Sequence, residues 1–145
     1  VAYQTADPGN ATLGLITILN GANGAFLQSF NLGTSSDFLI PGNMTGNYIA
    51  DVTVRRTVSG VREHTTRDVF AGTTGAVVTF GITGDQSLVG DFDGDGLQDY
   101  AVWRPSATAG ASKFIIRPSA LPANPDREVL MGASGDYPIG AARVH

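Results

Sequence analysis

Residues 80–106 read FGITGDQSLVGDFDGDGLQDYAVWRPS, and the nine residues from 91 to 99 at the centre of this stretch decide the fold. Aspartates occupy positions 1, 3, 5 and 9 of the nine, namely Asp91, Asp93, Asp95 and Asp99. Alternate positions on a tightly turned backbone aim several hard oxygens at one point, which is how such loops bind Ca²⁺. Gly96 permits the sharp bend, and Leu97 offers its backbone carbonyl from position 7. The pattern predicts a calcium site with the four aspartates and the Leu97 carbonyl as ligands.

The flanks of the loop distinguish between kinds of calcium loop. An EF-hand loop has a bidentate Glu at position 12, where this chain has Val102, and it has a helix on each side. Here the flanking residues are rich in β-branched and aromatic side chains, which is typical of strands. A metal-free Asp/Gly-rich turn is the alternative, because Asp-Gly also favours hairpins. Four carboxylates so close together would repel one another in such a turn, so we favour a calcium-binding β-hairpin.

The same segment recurs along the chain. Residues 37–56 align without a gap on residues 85–104. A third copy begins at Gly135 and stops at His145, and the first residues of the chain match the second half of the unit. The coinciding positions are Asp37/Asp85, Gly42/Gly90, Gly46/Gly94, Asp51/Asp99, Val54/Val102 and Arg56/Arg104. Residues 37–56 and 85–104 are offset by 48 residues. The chain therefore reads as about three circularly shifted repeats.

Each repeat reads as four short strands separated by clusters of Gly, Pro, Ser and Asn, and no segment sustains an apolar helical period. Units of this size with four strands are typical of propeller blades. The predicted fold is all-β, a single domain over residues 1–145 with β-propeller-type blades of four short antiparallel strands. Its predicted segments are a partial blade (1–36), a blade with a degenerate loop (37–84), a blade with the calcium loop (85–135) and the first strand of a further blade (136–145).

Three blades are too few to close a propeller, since propellers have about four to eight. Two arrangements stay open. The chain is either an incomplete propeller from a longer protein, which its start at Val1 without a signal peptide favours, or half of a six-bladed homodimer. In the dimer, two chains associate head to tail and the strand near 136–140 of each chain completes the first blade of the other.

With its DxDxDGxxD loop, the segment 80–106 resembles an FG-GAP/VCBS-type repeat. Repeats of this family build the β-propeller of integrin α chains and of many bacterial cell-surface and secreted proteins. The resemblance implies that the loop joins the innermost strand of a blade, Gln86 to Gly90, to the next strand, Asp99 to Trp103, and that it binds one calcium ion. It also implies an extracellular or cell-surface location.

The other copies depart from this pattern at the ligand positions. In the first full repeat these positions hold Asn43, Thr45, Asn47 and Asp51, with Tyr48 in place of the glycine. One carboxylate instead of four predicts severely weakened calcium binding there. In the last copy the first three aspartates are replaced by Ala141, Arg143 and His145. We expect no calcium binding in that copy.

The composition excludes several function classes. The chain has 13 acidic and 9 basic residues, and its formal charge of −4 equals the charge of the four loop aspartates. The basic residues are scattered, which argues against a nucleic-acid partner. The longest uninterrupted apolar piece, Leu13 to Leu19, is far shorter than the ~20 residues of a membrane-spanning helix, so membrane insertion is not expected. Cysteine is absent, so disulfides and zinc-thiolate sites are impossible.

Catalysis by this chain is not expected either. It has no G-x-S-x-G elbow, P-loop or G-x-G-x-x-G motif, and we expect its two histidines, His64 and His145, to be surface residues. Glu128 is expected to be solvated. Trp103 and Tyr3 occupy equivalent positions and offer stacking platforms for sugars, but aromatic residues at strand centres are more typical of packing between blades.

The sequence therefore predicts an extracellular, non-catalytic, calcium-binding β-propeller module for adhesion or ligand binding, with Ca²⁺ in a structural role. The alternative is a glycan-recognising, lectin-like module or an accessory segment of a larger secreted enzyme. In either case the partner is a protein or glycan that the sequence does not identify.

Overall fold

The computed structural model describes residues 1–119 and 126–138. Within these ranges the chain folds into twelve strands and no helix. The strands form three antiparallel sheets, none of which closes on itself. The all-β prediction is therefore confirmed.

Within each sheet, strands that follow one another in the chain are paired, except that β8 pairs with β6 instead of β7. The first sheet contains β1 (Ala2–Asp7), β2 (Asn10–Leu19) and β3 (Phe26–Thr34). The second contains β4 (Phe38–Gly42), β5 (Asp51–Val58), β6 (Val61–Asp68), β7 (Thr73–Thr74) and β8 (Val78–Ile82), with β7 and β8 both paired to β6. The third contains β9 (Gln86–Gly90), β10 (Asp99–Arg104), β11 (Lys113–Arg117) and β12 (Arg127–Leu130).

The second and third sheets begin with the same hairpin. The terminal pairs are Phe38↔Arg55 and Gly42↔Asp51 in the β4–β5 hairpin, and Gln86↔Trp103 and Gly90↔Asp99 in the β9–β10 hairpin. The two registers superpose under the same alignment that matches residues 37–56 to residues 85–104 in the sequence. The first sheet lacks this hairpin. Within the described residues β1 pairs with β2 alone, and no strand precedes it.

Each sheet ends in a turn of the same form. The turns are Gly33–Asp37, Gly81–Asp85 and Gly132–Asp136. In each turn the aspartate carboxylate accepts the backbone N–H of the residue after the first glycine, at 2.9, 2.9 and 2.8 Å. The first glycine has a φ of 65°, 91° or 85°, and a Cβ there would approach the aspartate carboxylate. Only glycine suits this position, since it alone adopts positive φ without cost and leaves room for the carboxylate.

Two apolar clusters hold the sheets together. Ile16 and Leu32 of the first sheet pack on Val52 and Val54 of the second. Between the second and third sheets, Phe80, Val102 and Ile115 form the other cluster. Each such side chain contributes about 1.5–3 kcal/mol on burial. These clusters position the β4–β5 and β9–β10 hairpins, and hence the loops between their strands.

The second interface also contains polar side chains. His64 is only 2 % exposed, and its ring centroid lies 4.9 Å from that of Tyr100. The expectation that His64 is a surface residue is therefore wrong. Trp103 is buried too: it is 2 % exposed, and its indole N–H donates to the Met131 carbonyl, at the end of its own sheet, at 3.3 Å. Packing of Trp103 between blades stays a prediction. Glu128 is exposed, as expected for a solvated residue.

The finer architecture stays a prediction. The sheets begin close to the predicted boundaries at residues 37 and 85, while the number of blades and the head-to-tail dimer stay predictions. Of the segment 136–145, the structure describes residues 136–138. These three residues are not in a strand. The rest of the predicted strand lies outside the described residues, as do Ala141, Arg143 and His145.

Candidate metal centre

The aspartate loop is held at its base by two paired strands. β9 ends at Gly90 and β10 begins at Asp99, and these two residues are opposite each other in the sheet. Gly94 and Gly96 have φ values of 87° and 90°. Such values favour glycine, so the sequence places glycine at the two points where the loop turns back on itself.

Asp91, Asp93 and Asp99 come together in this loop. One carboxylate oxygen from each lies within 4.8 Å of the others. Asp99 is fully buried, Asp91 is half-buried and Asp93 is exposed. The structure thus brings together three of the five predicted ligands. Coordination by Asp95 and by the Leu97 carbonyl stays a prediction.

Asp99 connects the loop to the rest of the third sheet. Its carboxylate accepts the backbone N–H of Phe92 at 3.0 Å and that of Ser119, just after β11, at 2.8 Å. Burial raises the pKa of Asp99, and the negative charges of Asp93 and Asp95 add to this effect, while the two N–H donors oppose it. A buried carboxylate near other carboxylates is destabilising unless a cation neutralises it.

The other aspartates fix the backbone of the loop. The two oxygens of Asp91 accept the N–H groups of Gly94 and Gly96, at 2.6 and 3.1 Å. Asp95 accepts the N–H of Leu97 at 2.8 Å. These bonds hold the loop in a tightly turned form, so little conformational entropy remains to be lost when a ligand binds.

The donor set fits a hard divalent cation. It consists of carboxylate oxygens and contains no nitrogen or sulfur ligand, which is the chemistry that Ca²⁺ and Mg²⁺ prefer. Ca²⁺ accepts six to eight oxygens in flexible geometry, whereas Mg²⁺ demands a near-ideal octahedron. An irregular loop with one buried, one half-buried and one exposed carboxylate suits the more tolerant ion.

The loop of the second sheet, residues 43–51, repeats this hydrogen-bond pattern with one carboxylate instead of four. Asn43 accepts the N–H of Gly46 at 3.0 Å, as Asp91 does for Gly94. Asn47 accepts the N–H of Ile49 at 2.9 Å, and Asp51 accepts those of Met44 and Thr45, both at 2.8 Å. The backbone turn thus persists where three of the four aspartates are replaced.

Asp68, at the end of β6, contacts this second loop and was not identified from the sequence. Its carboxylate accepts hydrogen bonds from the Asn47 amide at 3.1 Å and from the Thr45 hydroxyl at 3.4 Å. It also accepts the N–H of Ala71 at 2.8 Å. Both oxygens of this carboxylate thus accept hydrogen bonds from protein donors.

Replacing Asp68 by alanine should destabilise the protein by about 1–3 kcal/mol, since the Asn47, Thr45 and Ala71 donors lose their acceptor. The loss should be the same with calcium and after chelation. Urea unfolding of the variant and the wild type in both conditions measures it. A loss that appears only in calcium would show that Asp68 ligates the ion instead.

The two loops touch each other. The Asn43 side-chain amide donates to the Gly96 carbonyl at 3.3 Å, and the Gln98 N–H donates to the Asn43 carbonyl at 2.9 Å. A Cβ at Gly42 would overlap the Gln98 side chain. The aspartate loop is therefore braced by its neighbour, in addition to its own hydrogen bonds.

Comparison of the chain with protein-family models, curated proteins and solved structures finds no match. The described residues include no helix with the length and apolar character needed to cross a membrane. The geometry of the two loops therefore carries the functional interpretation.

Proposed function

We propose that this protein is an extracellular, non-catalytic, calcium-stabilised module of β-propeller-type blades that binds a protein or glycan ligand. The observation that carries the proposal is the cluster of Asp91, Asp93 and Asp99, in which one carboxylate is fully buried. A divalent cation offsets the repulsion within this cluster and the burial of Asp99.

The role proposed for calcium is structural. The ion supplies positive charge, while the chain provides the ligands and the connections to the fold. Asp99 links the loop to Ser119, and the adjacent loop contacts Gly96 and Gln98. Calcium binding therefore stabilises the base of the third sheet and its contact with the second.

The extracellular location is supported by the affinity that the loop should have. It lacks the bidentate Glu at position 12 that closes an EF-hand loop, and Val102 occupies that position. Calcium sites of extracellular modules bind with Kd values of about 10⁻⁴–10⁻³ M. A site with three described carboxylates and no closing Glu should have a Kd in that range. Such a site is filled at extracellular calcium concentrations and stays largely empty at the much lower concentrations inside cells.

The blade architecture is supported by three repeated features. The β4–β5 and β9–β10 hairpins share one register at the spacing of the sequence repeat. The turns at Asp37, Asp85 and Asp136 share one hydrogen-bond pattern. The third feature is the shared backbone pattern of the two loops. Two chains that associate head to tail would bring such blades into one closed ring.

Glycan recognition is the second candidate, and exposed aromatic side chains favour it. Tyr48 is 94 % exposed, at the tip of the second loop, and Tyr137 is 83 % exposed. Exposed aromatic faces bind apolar surfaces of ligands, while a hydroxyl provides a hydrogen bond. Trp103 is too deeply buried to take part. A glycan array probed with the calcium-loaded protein separates this candidate from protein adhesion.

Calcium should raise the free energy of unfolding by about 2.7 kcal/mol when free calcium is 100 times its Kd. The reason is that the ion binds the folded loop, whereas the unfolded chain does not hold its carboxylates together. Thermal melting followed by circular dichroism, with calcium and after addition of a chelator, measures this difference. Isothermal titration with calcium should give one site per chain.

Magnesium at the same concentration serves as the control and should stabilise the protein less, because it demands stricter geometry. An unchanged melting temperature on chelation, together with no bound metal in the titration, would contradict the proposed function.

A further inference from the structure

Two arginines of the second sheet converge on one hydroxyl of the third. Arg55 of β5 and Arg62 of β6 each donate a guanidinium N–H to the Ser87 hydroxyl oxygen, both at 3.0 Å. A serine hydroxyl has two acceptor lone pairs and one donor hydrogen. Because both lone pairs accept hydrogen bonds from arginines, the Ser87 O–H is free to donate a hydrogen bond to another acceptor.

Positive charge exceeds negative charge around these side chains. Asp85 is a carboxylate whose charge acts on Arg62, and both of its oxygens are bound by Arg104, at 2.8 and 2.9 Å. On the other side Asp37 pairs with Arg56 at 3.3 Å. Within the described residues, neither Arg55 nor Arg62 forms an ion pair. Glu63 follows Arg62 in β6, so its side chain points to the opposite face of the sheet.

The two guanidinium groups are close enough to destabilise each other. Burial lowers the pKa of Arg55, and the neighbouring charge of Arg62 lowers it further. Burial also lowers the pKa of Arg62, although Asp85 opposes that effect. Partly buried like charges held at one point favour binding of a counter-ion.

Arg55 has capacity for a further acceptor. Its Nε is buried and has no hydrogen-bond partner, while the guanidinium carbon lies 4.7 Å from the ring centroid of Phe38. Arg55 and Phe38 also line a cavity of about 350 Å³, whereas Arg62 and Ser87 do not line it, so Arg55 is the residue that connects the two features. The rest of the lining consists of Asp37 with its partner Arg56 and three hydroxyl-bearing residues, Thr34, Ser36 and Thr57. The only carboxylate in this lining is thus already neutralised.

We propose that Arg55, Arg62 and Ser87 bind the oxyanion group of a small ligand, a sulfate or a carboxylate. Guanidinium groups match such anions because they offer paired, planar N–H donors. The described part of the chain provides two donors without a carboxylate partner and one hydroxyl proton. The site lies at the interface of the second and third sheets and is separate from the aspartate loop.

Arginine side-chain NMR on the calcium-saturated protein tests this directly. Sodium sulfate is titrated against sodium chloride at constant ionic strength, and the Nε–H signals of the arginines are followed. The Arg55 signal should shift in a saturable way at millimolar sulfate, and sodium acetate should shift the same signal. Arg127, an exposed residue of β12, provides a reference signal that should not move.

Isothermal titration with sulfate then compares variants. Arg55→Gln and Arg62→Gln should each weaken sulfate binding by about tenfold or more, because each removes one charge-assisted hydrogen bond. Arg127→Gln should bind sulfate as the wild type does, which controls for non-specific binding of the anion to an exposed arginine.

Two results would overturn the proposal. One is an Arg55 signal in the folded wild type that does not respond to either anion, a result that does not depend on whether any variant folds. The other is an equal affinity for sulfate in the wild type and in a folded Arg55→Gln variant.

Discussion

Asp99→Ala should lower the free energy of unfolding of the calcium-loaded protein by about 3–5 kcal/mol. The substitution removes the buried acceptor of the Phe92 and Ser119 N–H groups, and each hydrogen bond to a charged group contributes about 1.5–3 kcal/mol. It also removes the buried ligand of the metal cluster. Urea unfolding with calcium and after chelation measures both effects.

Asp51→Ala is the matched control, because Asp51 occupies the equivalent position in the preceding repeat. Asp51 is 1 % exposed and accepts two backbone N–H groups at 2.8 Å, so its loss should also be strongly destabilising. The two variants should differ in their response to calcium. The stabilisation that calcium gives the wild type should persist in Asp51→Ala and disappear in Asp99→Ala.

A calcium increment of the wild-type size in both variants would contradict the assignment of the ion to the aspartate loop. If both variants lose the increment, the ion is shared by the two loops, which touch through Asn43 and Gly96. Asp93→Ala distinguishes these cases further, because Asp93 is exposed and its removal leaves the buried hydrogen bonds intact.

Much of this arrangement follows from local sequence. Alternating carboxylates with glycines at 94 and 96 define a loop whose turns are fixed over a few residues, and β-branched residues on both sides define its strands. The sequence repeat predicts that the second loop resembles the first, and the paired hydrogen bonds of Asn43 and Asp91 agree with this. Such features depend on contacts between residues close together in the chain.

The features that sequence reasoning missed depend on contacts between distant strands. Asp68 reaches the second loop from the end of β6, and nothing in its local sequence marks it as a partner of Asn47. Arg55 and Arg62 share one face of the β5–β6 hairpin, but their convergence on one hydroxyl depends on Ser87 of the third sheet. The alignment of the repeats detects equivalent positions, whereas these contacts join positions that are not equivalent.

His64 illustrates the same limit. Its neighbours in β6 are mostly polar, which is typical of an exposed strand. The face that carries His64 is nevertheless covered by the third sheet through Tyr100. Burial depends here on how two sheets stack, which the alternation of residues within one strand does not specify.

His64 should make the protein lose stability as the pH falls from about 6.5 to about 4. Burial lowers its pKa to about 4, and the charges of Arg55, Arg62 and Arg117 add to this, against an opposing hydrogen bond to the Val78 backbone. In the unfolded chain an ordinary histidine has a pKa of about 6.5. Between these values the unfolded state binds a proton that the folded state does not, so the contribution of His64 is complete above pH 6.5 and is lost towards pH 4. The total loss is about 3 kcal/mol.

Urea unfolding at pH 7 and pH 4.5, in saturating calcium, measures this loss in the wild type and in His64→Gln. Glutamine does not titrate and retains hydrogen-bonding groups, so the variant should show a much smaller loss over the same interval. The carboxylates titrate in both proteins, and the difference between the two curves therefore isolates the histidine. Equal losses in the two proteins would contradict this prediction. A His64 NMR titration midpoint near 6.5 in the folded state would contradict it as well, because it would show that the buried imidazole is protonated without loss of stability.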